Sequence, residues 1–290
     1  MKKILSIFAV CTAFTLFAPF AILSLQKEFS DSTPENELIT QLPDSADGDT
    51  PDENDGNLSD SVGGDSATEN DTPVATPTVQ TAKYVRCTGN GVNLRAGAGT
   101  DYAVLGSAEK DTVYAVLGKT GSWYKTYYRG QIAYLYAEYA SVFTLQKSAD
   151  EQTETVLLEG YKLIGTPYVY GAVRLHDGYG NLLGNFNAQK FDCSSLVQYI
   201  FYKGAGKLLN TTTRTQSTQG KYVHPDNLQR GDCIYFTNAE REHKTGVERI
   251  GHVAVYLGNN YILHTASDSA RIEKMSATRW NYYIEARRFL

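Results

Sequence analysis

Apolar and polar residues alternate over short runs in the middle of the chain, which predicts strands rather than helices. Examples are the runs at 113–117 (VYAVL) and 123–128 (WYKTYY), which are bounded by Gly-containing turns at 118–121 and 129–130. Short strands that follow one another closely build small β-barrels, in which side chains alternate between core and solvent. Residues 81–145 are therefore predicted to form a small all-β barrel.

The pattern changes after residue 150. Apolar residues recur at helical spacing over 155–164 and 194–202. Strand-like runs follow at 233–236, 252–257, 261–265 and 284–289. Helices followed by an antiparallel sheet are typical of an α+β layer fold, so residues 150–290 are predicted to form an α+β domain.

The N-terminal part of the chain has a different composition. Residues 4–25 are apolar and uncharged and follow Lys2 and Lys3, which is typical of an export signal or a signal-anchor. We assign residues 1–27 to this segment, which predicts an exported protein, either secreted or held at the plasma membrane. Residues 28–80 contain fourteen Asp and Glu and no Lys or Arg. This segment is predicted to be a disordered acidic linker.

Charge limits the binding partners that are expected, and the cysteines limit the expected metal sites and disulfide bridges. The chain has a net charge of −5, but residues 81–290 carry 24 Lys and Arg against 18 Asp and Glu. A mildly basic folded region suits an anionic polymer such as a cell wall. Its positive charge is too weak and too scattered to indicate nucleic-acid binding. No Cys-x-x-Cys pair occurs, so no zinc site is expected. Cys87 and Cys233 lie in apolar runs, where they are either small buried residues or a bridge between the two modules.

Three residues suggest nucleophilic catalysis. Cys193 opens a predicted helix, whose N-terminal N–H groups favour a thiolate and can donate to an oxyanion. His252 and His264 flank a tight turn at 258–260. In such a hairpin His264 lies opposite Ala254, so both imidazoles share one face as diagonal neighbours. We predict that Cys193 is the nucleophile, His252 the general base and His264 the residue that orients it.

The other histidines are assigned no function. His176, His224 and His243 lie in polar, loop-like stretches and are expected to be solvated.

Residues 150–290 resemble the NlpC family of papain-like cysteine peptidases, which cut the peptide stems of peptidoglycan. The matching segments are 165–171 (GTPYVYG), 191–197 (FDCSSLV), 228–236 (LQRGDCIYF), 251–256 (GHVAVY) and 261–264 (YILH). The resemblance implies a Cys–His–His site on Cys193, His252 and His264, without metal or organic cofactor. It also implies that Tyr168 lies near the thiol and helps to hold the oxyanion.

Residues 82–143 resemble a bacterial SH3-like domain. The matching segments are 91–102 (GVNLRAGAGTDY), 104–106 (VLG) and 121–125 (GSWYK). The resemblance implies a module that binds cell-wall polymer or shapes the cleft of a neighbouring catalytic domain. In related enzymes with both domains, an Asp and a Ser beside the nucleophile bind the free α-amine of an L-Ala-γ-D-Glu stem. Asp192 and Ser194 occupy those positions, and helix capping is the alternative role for both.

The sequence also departs from the NlpC pattern. Ser195 stands where a glycine is usual, and two loops, 172–190 and 238–249, are longer than usual. Long loops beside a site are expected to wall the cleft and to alter substrate choice.

The sequence therefore predicts an extracytoplasmic peptidoglycan endopeptidase that hydrolyses the bond from γ-D-Glu to the diamino acid through a thioester on Cys193. An amidase or acyltransferase on the same papain-like scaffold is one alternative. A non-catalytic cell-wall-binding protein, acting through residues 82–143, is the other.

Overall fold

The computed structural model describes residues 79–290; the expected export segment at 1–27, and the expected linker up to residue 78, lie outside the described residues. The helices are α1 (Glu151–Lys162), α2 (Cys193–Ala205), α3 (Thr213–Gln216) and α4 (Ala277–Asn281). The first eight strands are β1 (Thr81–Cys87), β2 (Val92–Arg95), β3 (Val104–Ala108), β4 (Val113–Ala115), β5 (Gly118–Thr120), β6 (Trp123–Tyr128), β7 (Gln131–Tyr136) and β8 (Ala140–Gln146). The others are β9 (Lys221–Val223), β10 (Cys233–Phe236), β11 (His252–Gly258), β12 (Tyr261–Ala266), β13 (Ser269–Lys274) and β14 (Tyr283–Arg288). Within residues 79–290, every helix is too short or too polar to cross a membrane.

Two antiparallel sheets organise these strands. One has five strands in the order β3-β2-β7-β6-β5, all from the N-terminal β-rich region. The other has nine, in the order β8-β1-β4-β13-β12-β11-β10-β14-β9. The two regions predicted as separate modules meet inside this larger sheet, where Val113 of β4 pairs with Ile272 of β13. The fold is thus a β-barrel-like region joined to an α+β domain, in agreement with the predicted fold class.

Helix ends follow local capping chemistry. Helix α1 begins at Glu151, four residues before the predicted start, because the Asp150 carboxylate accepts hydrogen bonds from the N–H groups of Gln152 and Thr153. Helix α2 begins at Cys193 and ends at Ala205, and the next residue, Gly206, adopts the left-handed conformation that terminates helices. The α2 helix packs its apolar face on β11 and β12, which brings its N-terminus to the histidine-bearing hairpin.

A buried arginine joins the two regions. Arg230 is 8% exposed and donates to both oxygens of Glu154 on α1, at 2.6 and 3.0 Å. It also donates to the hydroxyls of Tyr84 on β1 and Tyr161 on α1, at 2.9 and 2.8 Å. A buried charge with this many partners is expensive to disrupt, because removing one partner leaves the others unsatisfied. The network therefore fixes the β-rich region against helix α1.

A second contact lies at Gly165, directly after the residues that end α1. Gly165 has φ +83°, and a Cβ at this position would overlap the ring of Tyr128 from the β-rich region. Only glycine combines this backbone conformation with this close approach. The segment that leads to Tyr168 is therefore anchored on β6.

Two sequence expectations about single residues are settled here. His176 is fully buried, so its predicted solvation is wrong. Its Nδ1 accepts a hydrogen bond from the Gly178 N–H at 3.0 Å, and burial lowers the pKa of the imidazole. Cys87 and Cys233 are both buried free thiols, which agrees with the small-residue interpretation and not with a bridge.

Candidate active site

A capping box places Cys193 at the first position of α2. The Asp192 carboxylate accepts a hydrogen bond from the Ser195 N–H, and Ser195 Oγ accepts one from the Asp192 N–H, both at 2.8 Å. The reciprocal bonds satisfy two N–H groups at the helix start. Cys193 is 8% exposed and lines a cavity of about 410 Å³. Ser195, the departure from the family pattern, thus has a defined capping role.

The resting thiol is protonated. Burial, followed by the charge of Asp192, raises the pKa of Cys193 to about 12, and this outweighs opposing hydrogen bonds from the Val253 and Ser194 N–H groups. The sequence predicted a lowered pKa from the helix N-terminus, and that prediction is wrong because desolvation of the sulfur is the larger effect. The thiol therefore needs a base to take its proton during reaction.

The two histidines of the hairpin are in direct contact. His252 Nε2 lies 2.8 Å from His264 Nδ1, with the ring planes inclined at 76°. The register of β11 and β12, with Val255 opposite Leu263, is the one that the sequence spacing predicted. The turn itself is tighter than expected, since it consists of Asn259 and Asn260, both in the left-handed conformation.

A glutamate extends this pair. Glu273 Oε1 lies 3.2 Å from His264 Nε2, a close contact of a carboxylate with the ring that is not aligned as a linear hydrogen bond. The same oxygen accepts a hydrogen bond from Arg279 at 3.0 Å. Burial raises the pKa of Glu273, but His264, Arg279 and Arg271 together outweigh it and lower the pKa to about 2. Glu273 is therefore a carboxylate at neutral pH.

The ionised Glu273 decides where the ring protons lie. It favours a proton on His264 Nε2, which leaves His264 Nδ1 to accept from the Nε2–H of His252. His252 Nδ1 then keeps its lone pair. Burial holds the pKa of His252 well below its usual range, so this ring is neutral and able to accept a proton. The arrangement His252–His264–Glu273 is called the imidazole relay below.

Glu273 was missed in the sequence because β13 was not predicted. In the β12–β13 register His264 pairs with Arg271, so Glu273 is a diagonal neighbour of His264 on the same face. The diagonal rule that paired the two histidines also finds Glu273 once the third strand is known. Its signal is the alternation in 269–274, where Ala270 and Ile272 are buried between more exposed residues.

Tyr168 lies at the junction of two cavities. It lines the cavity of Cys193 and a neighbouring one of about 370 Å³ that contains His252, as do Asn238 and Gly251. Its N–H donates to the Asp268 carbonyl at 2.9 Å. Burial, followed by the proximity of Cys193, raises the pKa of its phenol, so the hydroxyl keeps its proton and can act as a donor. Tyr168 is near the thiol, where the resemblance placed it.

Asp192 and Ser194 contact a residue that the sequence did not single out. Arg174 Nη2 lies 2.9 Å from Asp192 Oδ2 and 2.8 Å from Ser194 Oγ. Asp192 also caps α2, which is the alternative role considered for it. Arg174 belongs to the long loop 172–190, and only the length of that loop pointed to it, because the path of a loop is not readable from its residues.

Both long loops reach the cavity that contains the thiol. Loop 172–190 contributes Arg174, and loop 238–249 contributes Asn238, Glu240 and Arg241. Within residues 79–290, no three His, Cys, Asp or Glu side chains converge in a way that could hold a metal ion.

Comparison with known proteins identifies the domains. Residues 165–288 match the NlpC/P60 family, and residues 90–141 match the bacterial SH3 domain. Gamma-DL-glutamyl hydrolase of Bacillus subtilis is 34% identical over 126 residues, which cover 43% of this chain and 26% of that protein. Murein DD-endopeptidase MepS/Murein LD-carboxypeptidase of Escherichia coli is 36% identical over 110 residues, which cover 37% of this chain and 54% of that protein.

Solved structures include an NlpC/P60 family protein from Bacillus cereus. It is 22% identical, with a TM-score of 0.38, over 72% of this chain and 64% of that one. The chain spans between about a quarter and about half of the length of the two curated relatives. It carries an NlpC/P60 family domain at residues 165–288, preceded by a bacterial SH3 domain at residues 90–141.

Proposed function

We propose that this chain is a peptidoglycan endopeptidase that acts outside the cytoplasm and uses Cys193, His252 and His264 for catalysis. The observation that carries the proposal is the imidazole relay, in which His252 is followed on β11 by Val253, whose N–H donates a hydrogen bond to the Cys193 sulfur. The names of the two relatives, a glutamyl hydrolase and a murein endopeptidase, support a cell-wall hydrolase.

The first half of the reaction forms a thioester. Cys193 Sγ attacks the carbonyl carbon of the amide as its proton passes to His252 Nδ1. The carbonyl π electrons move to oxygen, where the N–H groups at the start of α2 and the Tyr168 hydroxyl donate to the oxyanion. The C–N bond then breaks, the leaving nitrogen takes the proton from His252, and the acyl group remains on sulfur.

The second half restores the enzyme. Water attacks the thioester carbon and gives its proton to His252. The C–S bond breaks, the product leaves as a carboxylic acid, and the proton returns to Cys193. His264 and Glu273 do not touch the reacting atoms, and their part is to keep the proton on His252 Nε2 and the lone pair on Nδ1.

For the scissile bond we propose the amide from γ-D-Glu to the diamino acid. The name of the Bacillus subtilis relative supports a γ-glutamyl bond, whereas the name of the Escherichia coli relative refers to DD and LD bonds. Product masses separate these possibilities, because each bond releases a different peptide.

The SH3 region offers a second contact with the polymer. A groove of about 760 Å³ is lined by Trp123, Tyr136 and Tyr139, with Arg95 and Asp101 nearby. The rings of Trp123 and Tyr136 lie 5.0 Å apart, centroid to centroid. Aromatic faces beside charged groups can hold a wall sugar or peptide, so we propose this groove as the wall-binding site.

The test is digestion of purified peptidoglycan by the purified full-length protein, with the products read by mass spectrometry. A Cys193→Ala protein serves as the control. Cys193-dependent release of fragments ending in γ-D-Glu supports the proposal. Release of intact stem peptides from the glycan indicates an amidase, and activity that survives in Cys193→Ala contradicts the mechanism.

A further inference from the structure

We infer that Arg174 is a specificity residue that fills the place of a substrate ammonium beside Asp192 and Ser194. The site then takes stem peptides whose N-terminal nitrogen is acylated, as in a stem attached to glycan, rather than peptides with a free α-amine. This inference rests on the proposed function. It reverses the preference that Asp192 and Ser194 suggest when the sequence is considered alone.

The Asp192 carboxylate has no acceptor site left for a ligand. Oδ1 accepts from the Ser195 N–H at 2.8 Å and from Ser194 Oγ at 3.1 Å. Oδ2 accepts from the Gly171 N–H at 3.2 Å and pairs with Arg174 at 2.9 Å. A carboxylate offers about four lone-pair positions, and here all four are used.

Arg174 is held rigidly in this position. Its Nε donates to the Thr211 carbonyl at 2.8 Å, and its Nη1 donates to the Ala172 carbonyl. The side chain is 18% exposed, so water does not compete strongly for these bonds. A guanidinium that is fixed by backbone carbonyls on one side and a carboxylate on the other does not swing away at low cost.

The loop that carries Arg174 is itself anchored. The buried Gln198 of α2 donates to the His176 carbonyl at 3.1 Å and to the Leu209 carbonyl at 3.0 Å. The buried His176 ring packs beside Tyr202 of α2, with ring centroids 5.1 Å apart. Arg174 therefore sits on a loop that is tied to the same helix as Cys193, which keeps the guanidinium in place during substrate binding.

The resulting charge disfavours a cation. An ammonium needs an anion that is not already neutralised, and arginine keeps its charge throughout the physiological pH range. Arg214 and Arg241 also line the cavity, but both pair with Glu248, at 3.3 Å each. Arg174 is therefore the cation that pairs with Asp192. A free α-amine placed here meets the fixed Arg174 guanidinium, whereas an acylated nitrogen is neutral and meets no such repulsion.

The test compares two synthetic peptides that differ only at the N-terminus. One is L-Ala-γ-D-Glu-diaminopimelate with a free amine, and the other is the same peptide N-acetylated. For the full-length protein we expect kcat/KM to favour the acetylated peptide by roughly tenfold, the effect of one modest like-charge contact. In Arg174→Ala the preference should fall to about one or reverse. Arg214→Ala removes another cavity cation, one that pairs with Glu248 at 3.3 Å and not with Asp192, and it should keep the wild-type ratio.

The outcomes are distinct. A wild-type preference for the free amine that persists in Arg174→Ala overturns the inference and leaves the proposed function standing. Absence of Cys193-dependent cleavage of both peptides overturns the proposed function, and the inference falls with it. If Arg174→Ala does not fold, the wild-type ratio still decides, and Arg174→Lys, which keeps the charge, should retain the preference for the acetylated peptide.

Discussion

The candidate site contains two carboxylates that each pair with an arginine, and the two differ in what else they contact. Glu273 pairs with Arg279 at 3.0 Å, and Asp192 pairs with Arg174 at 2.9 Å. Glu273 still contacts His264, so its charge acts on the imidazole relay. The oxygens of Asp192 are occupied by helix capping and by Arg174.

The difference shows that the presence of a carboxylate in the candidate site does not by itself define its role. Its role depends on which of its oxygens remains available and what faces it. Glu273 meets a ring nitrogen that can carry a proton, which makes it an orienting group. Asp192 pairs with an arginine and caps α2, which makes it a structural group. The comparison predicts that substitutions on the imidazole side (His252, His264 and Glu273) change the rate of cleavage. Substitutions on the cap side (Asp192 and Arg174) are predicted to change stability and substrate choice.

The largest effect is expected at His252, where the base itself is removed. His252→Ala should lower kcat/KM roughly 10²- to 10⁴-fold, the contribution typical of a positioned general base. The protein should keep its melting temperature within a few degrees, because His252 is half-buried at the start of β11. Peptide cleavage and thermal unfolding measured on the same samples check both statements. A fully active His252→Ala protein would remove the base from the account.

A smaller loss of rate is expected at Glu273, which acts through His264. Glu273→Gln keeps the shape but loses the charge that holds the proton on His264 Nε2, so kcat/KM should fall roughly 10- to 100-fold, as for other outer partners of functional histidines. The matched control is Glu285→Gln, which removes a carboxylate paired with Arg287 at 3.0 Å away from the relay. Equal rates for the two variants would sink the orienting role.

On the cap side the expected change is in stability. Asp192→Asn keeps a good N-cap but leaves the Arg174 guanidinium without its carboxylate, so the free energy of unfolding should fall by about 2 kcal/mol. Asp150→Asn is the control, since Asp150 caps α1 without an arginine partner, and it should change stability by less than about 0.5 kcal/mol. Urea unfolding monitored by circular dichroism measures both. Similar losses for the two variants would show that Arg174 contributes little.

The smallest effect concerns acid stability. The folded-state pKa of Glu273, about 2, lies below its ordinary value of 4.5. A carboxyl with a lowered pKa stabilises the fold above its unfolded-state pKa, and this contribution is lost as pH falls from about 4.5 towards 2. Wild type should therefore lose more stability than Glu273→Gln between pH 5 and pH 3 in urea titrations. Parallel pH dependences for the two proteins would contradict an ionised, paired Glu273.

The elements that were predicted from the sequence depend on local rules. The spacing of His252 and His264 around a turn defines one hairpin register, and Asp192 before a helix is a recognisable cap. Glu273 needed the knowledge that β13 pairs with β12, and Arg174 needed the path of a long loop. Burial of His176 could not be read either, because its polar neighbours in the sequence suggest solvent, whereas packing on α2 decides its environment.

The join between the two regions was also beyond the sequence. The pairing of Val113 with Ile272 and the Arg230 network link residues far apart in the chain, and neither strand pattern nor charge identifies such partners. These contacts place the SH3 domain against helix α1. They are a matter of tertiary packing, which single-residue propensities do not encode.

The most direct test of the account is capture of the acyl-enzyme. The full-length protein is mixed with the N-acetylated L-Ala-γ-D-Glu-diaminopimelate peptide, quenched in acid during turnover and analysed by mass spectrometry of its proteolytic fragments. We predict that the fragment containing Cys193 gains the mass of the N-acetyl-L-Ala-γ-D-Glu acyl group, and that the gain is absent in Cys193→Ala. Continued turnover in Cys193→Ala, or an acyl group on another residue, would contradict the assignment of Cys193 as the nucleophile.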